Sequence, residues 1–261
     1  MNPLRRLLRY TLGNLSRHAI KKHNLELIVI SGWYGTELAR EMLYTILNEK
    51  LRVRRNLKDI WWDFSIPLAI LGYKDKRRNP IQWLGLLLRA SIYLIYGRSN
   101  PHILILNADC TYETTAKYWA SFVKPDYLLI LNYEKEASVV NELIKATDRE
   151  KGIIIYNPGK FKELNRKLKD YRTFTYGESE KSRLKVSLQK NKLKVSYNND
   201  HVNLPARTLP SFSVDMLGGV FAICMVKDLD LVEAGFNSLK FDLQAEIVTK
   251  ISNNLEFKGL Q

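Results

Sequence analysis

Four runs of aliphatic and β-branched residues constrain this chain more than any other feature: LELIVIS at 25–31, HILILN at 102–107, YLLILN at 127–132 and GIIIYN at 152–157. None alternates apolar with polar residues, so each reads as a strand buried on both faces. Stretches of helical character separate them, among them TTAKYWASFV at 114–123, ASVVNELIKATDRE at 137–150 and GKFKELNRKLKD at 159–170. Strands alternating with helices predict an α/β fold, a mostly parallel sheet covered by helices on both faces. Residues 171–206 change character. RTFTYG, RLKVSLQ, KLKVSYN and HVNLP are short alternating segments with Asn-Asp and Asn-Lys turns, which predict a small antiparallel section. Residues 211–235 return to helix, and 241–261 read as a helix that ends in loose chain.

The first strand runs into GWYGT and then ELAREMLYTILNEKL, where Leu38, Met42, Leu43, Ile46 and Leu47 keep helical spacing. A strand, a glycine turn and a helix N-terminus form the place where many α/β proteins hold a phosphate. A working loop of that kind needs small residues that let N–H groups approach, a Lys against the β/γ charge, and a Ser or Thr for Mg²⁺. Here Gly32 and Gly35 supply the shape, while Trp33 and Tyr34 fill the turn. Thr36 stands where the Lys would follow the glycine, and Glu37 where the hydroxyl would come next. Glu37 suits the helix dipole but repels a phosphate. The residues fit either an ordinary βα turn with an acidic first turn or a phosphate loop that has lost its chemistry.

A net charge of +14 over 261 residues attracts polyanions or anionic membrane surfaces. The segment 1–24 reads as a basic amphipathic helix, with Leu4, Leu7, Leu8, Leu12 and Leu15 on one stripe and Arg5, Arg6 and Arg9 opposite. It lacks the long apolar core of a secretory signal or a membrane span. It either lies on a membrane surface or packs on the domain with its basic face in water. The run 81–96 is short for a bilayer and interrupted by Arg89, which makes it a buried or interfacial helix behind Lys74, Lys76, Arg77 and Arg78. Trp61 and Trp62 suit a core, and less well a stacking surface for nucleobases. The two cysteines, Cys110 and Cys224, and the four histidines, His18, His23, His102 and His201, have no metal-ligand spacing. Two cysteines without a disulfide framework fit a reducing, cytoplasmic setting. No nucleic-acid-recognition motif is present, which disfavours such a partner.

The order of these elements and their punctuation resembles the central ATP-binding domain of the Mur ligase family, especially the ligases that add D-alanyl-D-alanine. The resemblance spans roughly 25–240. The family's T-G-x-x-G-K-T-T is matched by Ser31 to Leu38, and its N-x-N-N-E-x-G-x-P-L by Asp59 to Leu68, which keeps Asp63, Pro67 and Leu68. The strand that ends in a metal-binding Glu corresponds to ILILN, with Asn107 at the Glu position. V-x-P-D, strand, T-N corresponds to Val123 through Asn132. The metal-binding His of G-x-A-H falls on Ala137, G-x-x-x-x-N-x-D survives as Gly152 to Asn157, and G-x-H-N falls on Ser211 to Val214.

Fold-shaping residues therefore remain, while phosphate- and metal-binding positions are replaced at Thr36, Glu37, Asn107 and Ala137. Family ligases activate a carboxylate as an acyl phosphate, which an amine then attacks, and that chemistry needs Mg²⁺ and a Lys. The resemblance thus implies a degenerate, non-catalytic relative that acts by binding in peptidoglycan precursor synthesis, with no cofactor expected. The alternative is an active amide ligase using ATP and Mg²⁺ at an unusual site. A basic helix stands where a UDP-binding domain is expected, and 241–261 where a C-terminal domain would begin. The partners this implies are a second copy or a catalytically complete relative, anchored by Trp61, Trp62, Trp83 and the run 84–88, and the inner face of an anionic membrane.

Overall fold

In the computed structural model, residues 3–240 are described apart from 33, 58–62, 75–77, 98–100, 109–111, 134–137, 190–191 and 206–210, with only the backbone at 138, 211, 212 and 236. The four apolar runs become β1 (Glu26–Ser31), β3 (Ile103–Asn107), β4 (Tyr127–Ile130) and β5 (Ile153–Tyr156). β2 (Val53–Arg55) closes one edge, and β6 (Arg172–Gly177) follows β5. These strands lie parallel in the order β2-β3-β1-β4-β5-β6. β7 (Leu184–Gln189), β8 (Lys192–Tyr197) and β9 (Asp200–Pro205) extend the sheet, with β7–β8 and β8–β9 antiparallel. The antiparallel section is narrower than 171–206, because RTFTYG pairs parallel with both β5 and β7.

Alternate residues of each strand feed two separate cores, as the pleat requires. Ile28, Ile30, Ile105, Leu129, Ile155 and Phe174 face α2 (Thr36–Leu47), α8 (Ser211–Val226) and α9 (Leu231–Ser238). Leu27, Val29, Leu104, Leu128, Ile130 and Ile154 face the opposite layer of α1 (Pro3–His23), α3 (Ser65–Leu71), α5 (Glu113–Ala120), α6 (Ser138–Ala146) and α7 (Lys162–Lys167). With both faces buried, neither set can alternate with polar residues, which explains the unbroken apolar runs. α4 (Pro80–Tyr96) packs outside this layer, against α1. Asn79 and Gln82 close its N-terminus in a reciprocal capping box, with the Gln82 N–H 2.8 Å from Asn79 Oδ1 and the Asn79 N–H 3.1 Å from Gln82 Oε1.

Two readings of side-chain placement change in three dimensions. The α1 stripe splits: Leu12 is buried and Leu8 and Leu15 pack inward, whereas Leu4 and Leu7 are exposed. The arginines do not all face water. Arg5 Nη2 lies 2.6 Å from Asp63 Oδ2, and Arg9 Nη1 is 3.8 Å from the same oxygen. A buried carboxylate needs a counter-charge, and α1 supplies two. Trp83 is half-buried and meets Phe64 edge-on with ring centroids 5.4 Å apart, so it belongs to the packing between α4 and α3.

Candidate functional site

The C-terminal ends of β1, β3, β4 and β5 line up along one rim of the sheet, where ligands of open α/β folds bind. β1 ends at Ser31, and α2 begins at Thr36 after Gly35, whose φ of 76° is left-handed. Gly32 has φ 156°, and a Cβ there would lie 3.0 Å from the Asn132 backbone nitrogen. These two glycines are needed for different reasons: Gly35 to turn the chain into the helix, Gly32 to let β4's exit pass close.

The Asn132 side chain occupies the turn, with Tyr34 N–H donating to its Oδ1 at 2.9 Å. Among the turn's backbone donors, that N–H is therefore engaged by the protein's own amide. Thr36 is 2 % exposed, so its hydroxyl is inside the fold, while Tyr34 is exposed. Glu37 sits in the first turn of α2. Trp33 and Ala137 lie outside the described residues.

Asn107 ends β3 beside Ile30 of β1. Its backbone is bracketed by Asn56: Asn107 N–H donates to Asn56 Oδ1 at 2.8 Å, and Asn56 Nδ2 donates to the Asn107 carbonyl at 3.1 Å. Asn107 is 7 % exposed, and its Oδ1 has no hydrogen-bond partner among the described residues. A neutral amide there offers one weak oxygen to a cation in place of a carboxylate. Ser31 Oγ donates to the Ala108 carbonyl at 3.2 Å, tying β1 to the chain just past β3.

Asp63, the acidic residue retained in the Pro-Leu motif, is engaged on every side. Besides the two arginines, it accepts from Thr115 Oγ1 at 2.6 Å, and its carbonyl accepts from Trp119 Nε1 at 3.2 Å. It therefore pins α1 and α5 to the start of α3. Asn157 belongs to a separate group two strands from β1. Its Nδ2 donates to Asp215 Oδ1 at 2.9 Å, its Oδ1 accepts from Gly159 N–H at 3.0 Å, and Lys160 Nζ pairs with Asp215. Tyr176 is fully buried next to this cluster, and burial together with the Asp215 charge pushes its phenol well above the usual range. Asn132 and the glycine turn thus form one unit, Asn107 with Asn56 a second, and Asn157 with Asp215 and Lys160 a third.

Asn56, Lys160, Asp215 and the Arg5–Asp63 pair were not foreseeable as site residues. Their partners are 51 or more residues away along the chain, and no spacing rule connects such positions. Among the described residues no three His, Cys, Asp or Glu side chains converge as a metal site. Mg-ATP does not fit the groups that are present. Thr36 is buried, Asp63 is held by two arginines, Glu37 adds a negative charge beside the turn, and Asn132 holds the Tyr34 N–H.

No protein-family model matches the sequence, and no curated protein does. Solved structures do match. A MurF ligase from Thermotoga maritima in complex with ADP superposes with TM-score 0.64 at 15% identity, over 87% of this chain and 52% of that one. MurF from Acinetobacter baumannii gives 0.64 at 15% over 88% and 49%. A pseudomurein peptide ligase type C from Methanothermus fervidus gives 0.56 at 12% over 84% and 50%. The chain spans about half the length of these structures. The parallel order β2-β3-β1-β4-β5-β6, the glycine turn after β1 and these superpositions agree: the chain has the Mur-ligase-like fold.

Proposed function

We propose that this protein is a non-catalytic form of the Mur-ligase-like fold that acts by binding in the synthesis of peptidoglycan precursors. The observation that carries the reading is that an N–H donor of the glycine turn and the retained acidic residue are both held by the protein's own groups. Asn132 Oδ1 holds the Tyr34 N–H of the glycine turn, and Arg5 and Arg9 hold Asp63. Acyl-phosphate chemistry needs cations placed against the transferring phosphoryl group and N–H donors open to it. Here cations are spent on a structural carboxylate, and a donor is already satisfied. The setting in peptidoglycan precursor synthesis is supported by matched structures whose names include a UDP-N-acetylmuramoylalanyl-D-glutamyl-2,6-diaminopimelate–D-alanyl-D-alanyl ligase and a pseudomurein peptide ligase.

The competing reading is an active ATP-dependent amide ligase. An assay of ADP release with Mg-ATP, a UDP-muramoyl-tripeptide and D-alanyl-D-alanine separates the two. Release should be no faster than the buffer control, for the protein as it stands and for Thr36→Lys. A single Lys leaves Asn107 without a carboxylate and Asn132 across the turn. Substrate-dependent ADP release by the unaltered protein would overturn the proposal.

A further inference from the structure

α4 carries large apolar residues on opposite sides, yet the protein covers one side only. Its inward residues, Trp83, Leu86, Leu87, Ala90 and Leu94, pack on α1 and α3, and of the whole helix only Leu86 and Ala90 are buried. On the opposite side Ile81, Leu84, Leu88, Ile92 and Ile95 are exposed by 81%, 70%, 62%, 49% and 65%. Their spacing of three and four residues places them on one stripe along the full length of the helix. A helix apolar all round is normally a buried one, and a stripe of this size on a soluble surface marks an interaction face.

The stripe continues onto α1. The two helices lie side by side and parallel. At their C-terminal ends, Lys22 Nζ donates to the Ile95 carbonyl at 2.9 Å, and His23 meets Tyr93 with ring centroids 5.5 Å apart. At their N-terminal ends, Leu4, Leu7, Leu8, Trp83, Leu84 and Leu87 line a groove of about 550 Å³. Leu4, Leu7 and Tyr10 are exposed by 61%, 62% and 70%, which widens the apolar face to two helices.

Charge decides what this face fits. Beyond the Arg5 and Arg9 that Asp63 holds, α1 carries Arg6, Arg17, Lys21 and Lys22, α4 carries Arg89, and neither helix has an Asp or Glu. From Phe64 to Asn107 the sequence has one acidic residue, Asp75, against Lys74, Lys76, Arg77, Arg78, Arg89 and Arg98. A second copy seated on this face would set cations against cations, and the net charge of +14 adds to that repulsion. No helix among the described residues is long and apolar enough to cross a membrane. An apolar stripe with exposed cations and no anions matches the boundary of a bilayer, where acyl chains lie under negative headgroups. We propose that the α1–α4 face docks this protein on an anionic lipid surface, with α4 lying in the plane of the interface.

The test is co-sedimentation of the full chain with vesicles of phosphatidylcholine and phosphatidylglycerol at 3:1, against phosphatidylcholine alone, across a salt series. The expected result is binding to the anionic vesicles that is about tenfold tighter than to neutral ones and falls with salt. Leu84→Glu with Leu88→Glu, both on the exposed stripe, should weaken it by a further factor of about ten while the thermal melt stays unchanged. Arg6→Glu with Arg89→Glu should remove the preference for anionic lipid. No sedimentation with anionic vesicles would overturn the proposal. So would binding that the Leu84→Glu, Leu88→Glu variant leaves intact, which would place the contact elsewhere. A dimer that this variant dissociates, without vesicle binding, would assign the face to a second copy instead. No nucleotide enters the assay, so its failure and that of the proposed function are separable.

Discussion

Single side chains decide how this fold is sealed, and Asp63 is the most consequential. It is 5 % exposed and meets Arg5, Arg9 and Thr115, so removing its carboxylate strands a buried hydroxyl and removes both ion pairs that tie α1 to the start of α3. Asp63→Ala should lower unfolding stability by about 2–3 kcal/mol, read as a shift of the urea midpoint. An unchanged midpoint would show that α1 is held by its apolar contacts alone. Cys224 gives a second residue-scale expectation. It is fully buried, and burial pushes its thiol up to about 12. An unfolded thiol ionises from about pH 8.5, so between that value and about 12 the folded state holds a proton that the unfolded state has lost. Stability should therefore fall as pH rises through this window, and the buried Tyr176 phenol, raised for the same reason, steepens the fall above about pH 10. Native protein at pH 8.5 should resist iodoacetamide at Cys224 until denaturant is added. Labelling at the rate of a free thiol would contradict the burial.

At the scale of elements, the βα turn gives its two glycines two different structural tasks. Gly35 is left-handed and Gly32 passes within contact of Asn132, so both remain necessary to the fold. Gly35→Ala should cost about 1 kcal/mol, and Gly32→Ala more, because its Cβ must push on a backbone nitrogen. Denaturant midpoints of the two variants check the order. The strands were legible because an unbroken apolar run of five or six residues has few other solutions. The helix 159–170 shrinks to Lys162–Lys167, since Pro158 and Gly159 turn the chain first. RTFTYG was misassigned to the antiparallel section because an alternating pattern looks the same whether the strand's neighbour runs parallel or antiparallel. α4 was readable as an apolar helix that is buried or interfacial, and only the tertiary packing shows which of its sides is covered.

For the whole molecule, the mostly parallel sheet covered on both faces follows from pattern, and the Mur-ligase-like fold was legible as a resemblance in the motifs, whereas the strand order comes from the structure. The rim is different. Gly32, Gly35, Thr36 and Asn107 could be placed from sequence, but the Asn132 amide across the turn and the arginines on Asp63 could not. Those contacts join positions 98 and 58 residues apart, and only the folded sheet brings them together. They also turn a statement about missing residues into one about occupied space. A site that merely lacked a Lys would still present open N–H donors to a phosphate, with weakened affinity. A phosphate entering this turn has to compete with the Asn132 amide for the Tyr34 N–H, a neutral hydrogen bond worth about 0.5–1.5 kcal/mol. Isothermal titration calorimetry of the full chain with millimolar ATP, with and without Mg²⁺, measures this directly. No Mg²⁺-dependent heat is expected; saturable Mg²⁺-dependent binding in the micromolar range would show that the turn still admits nucleotide.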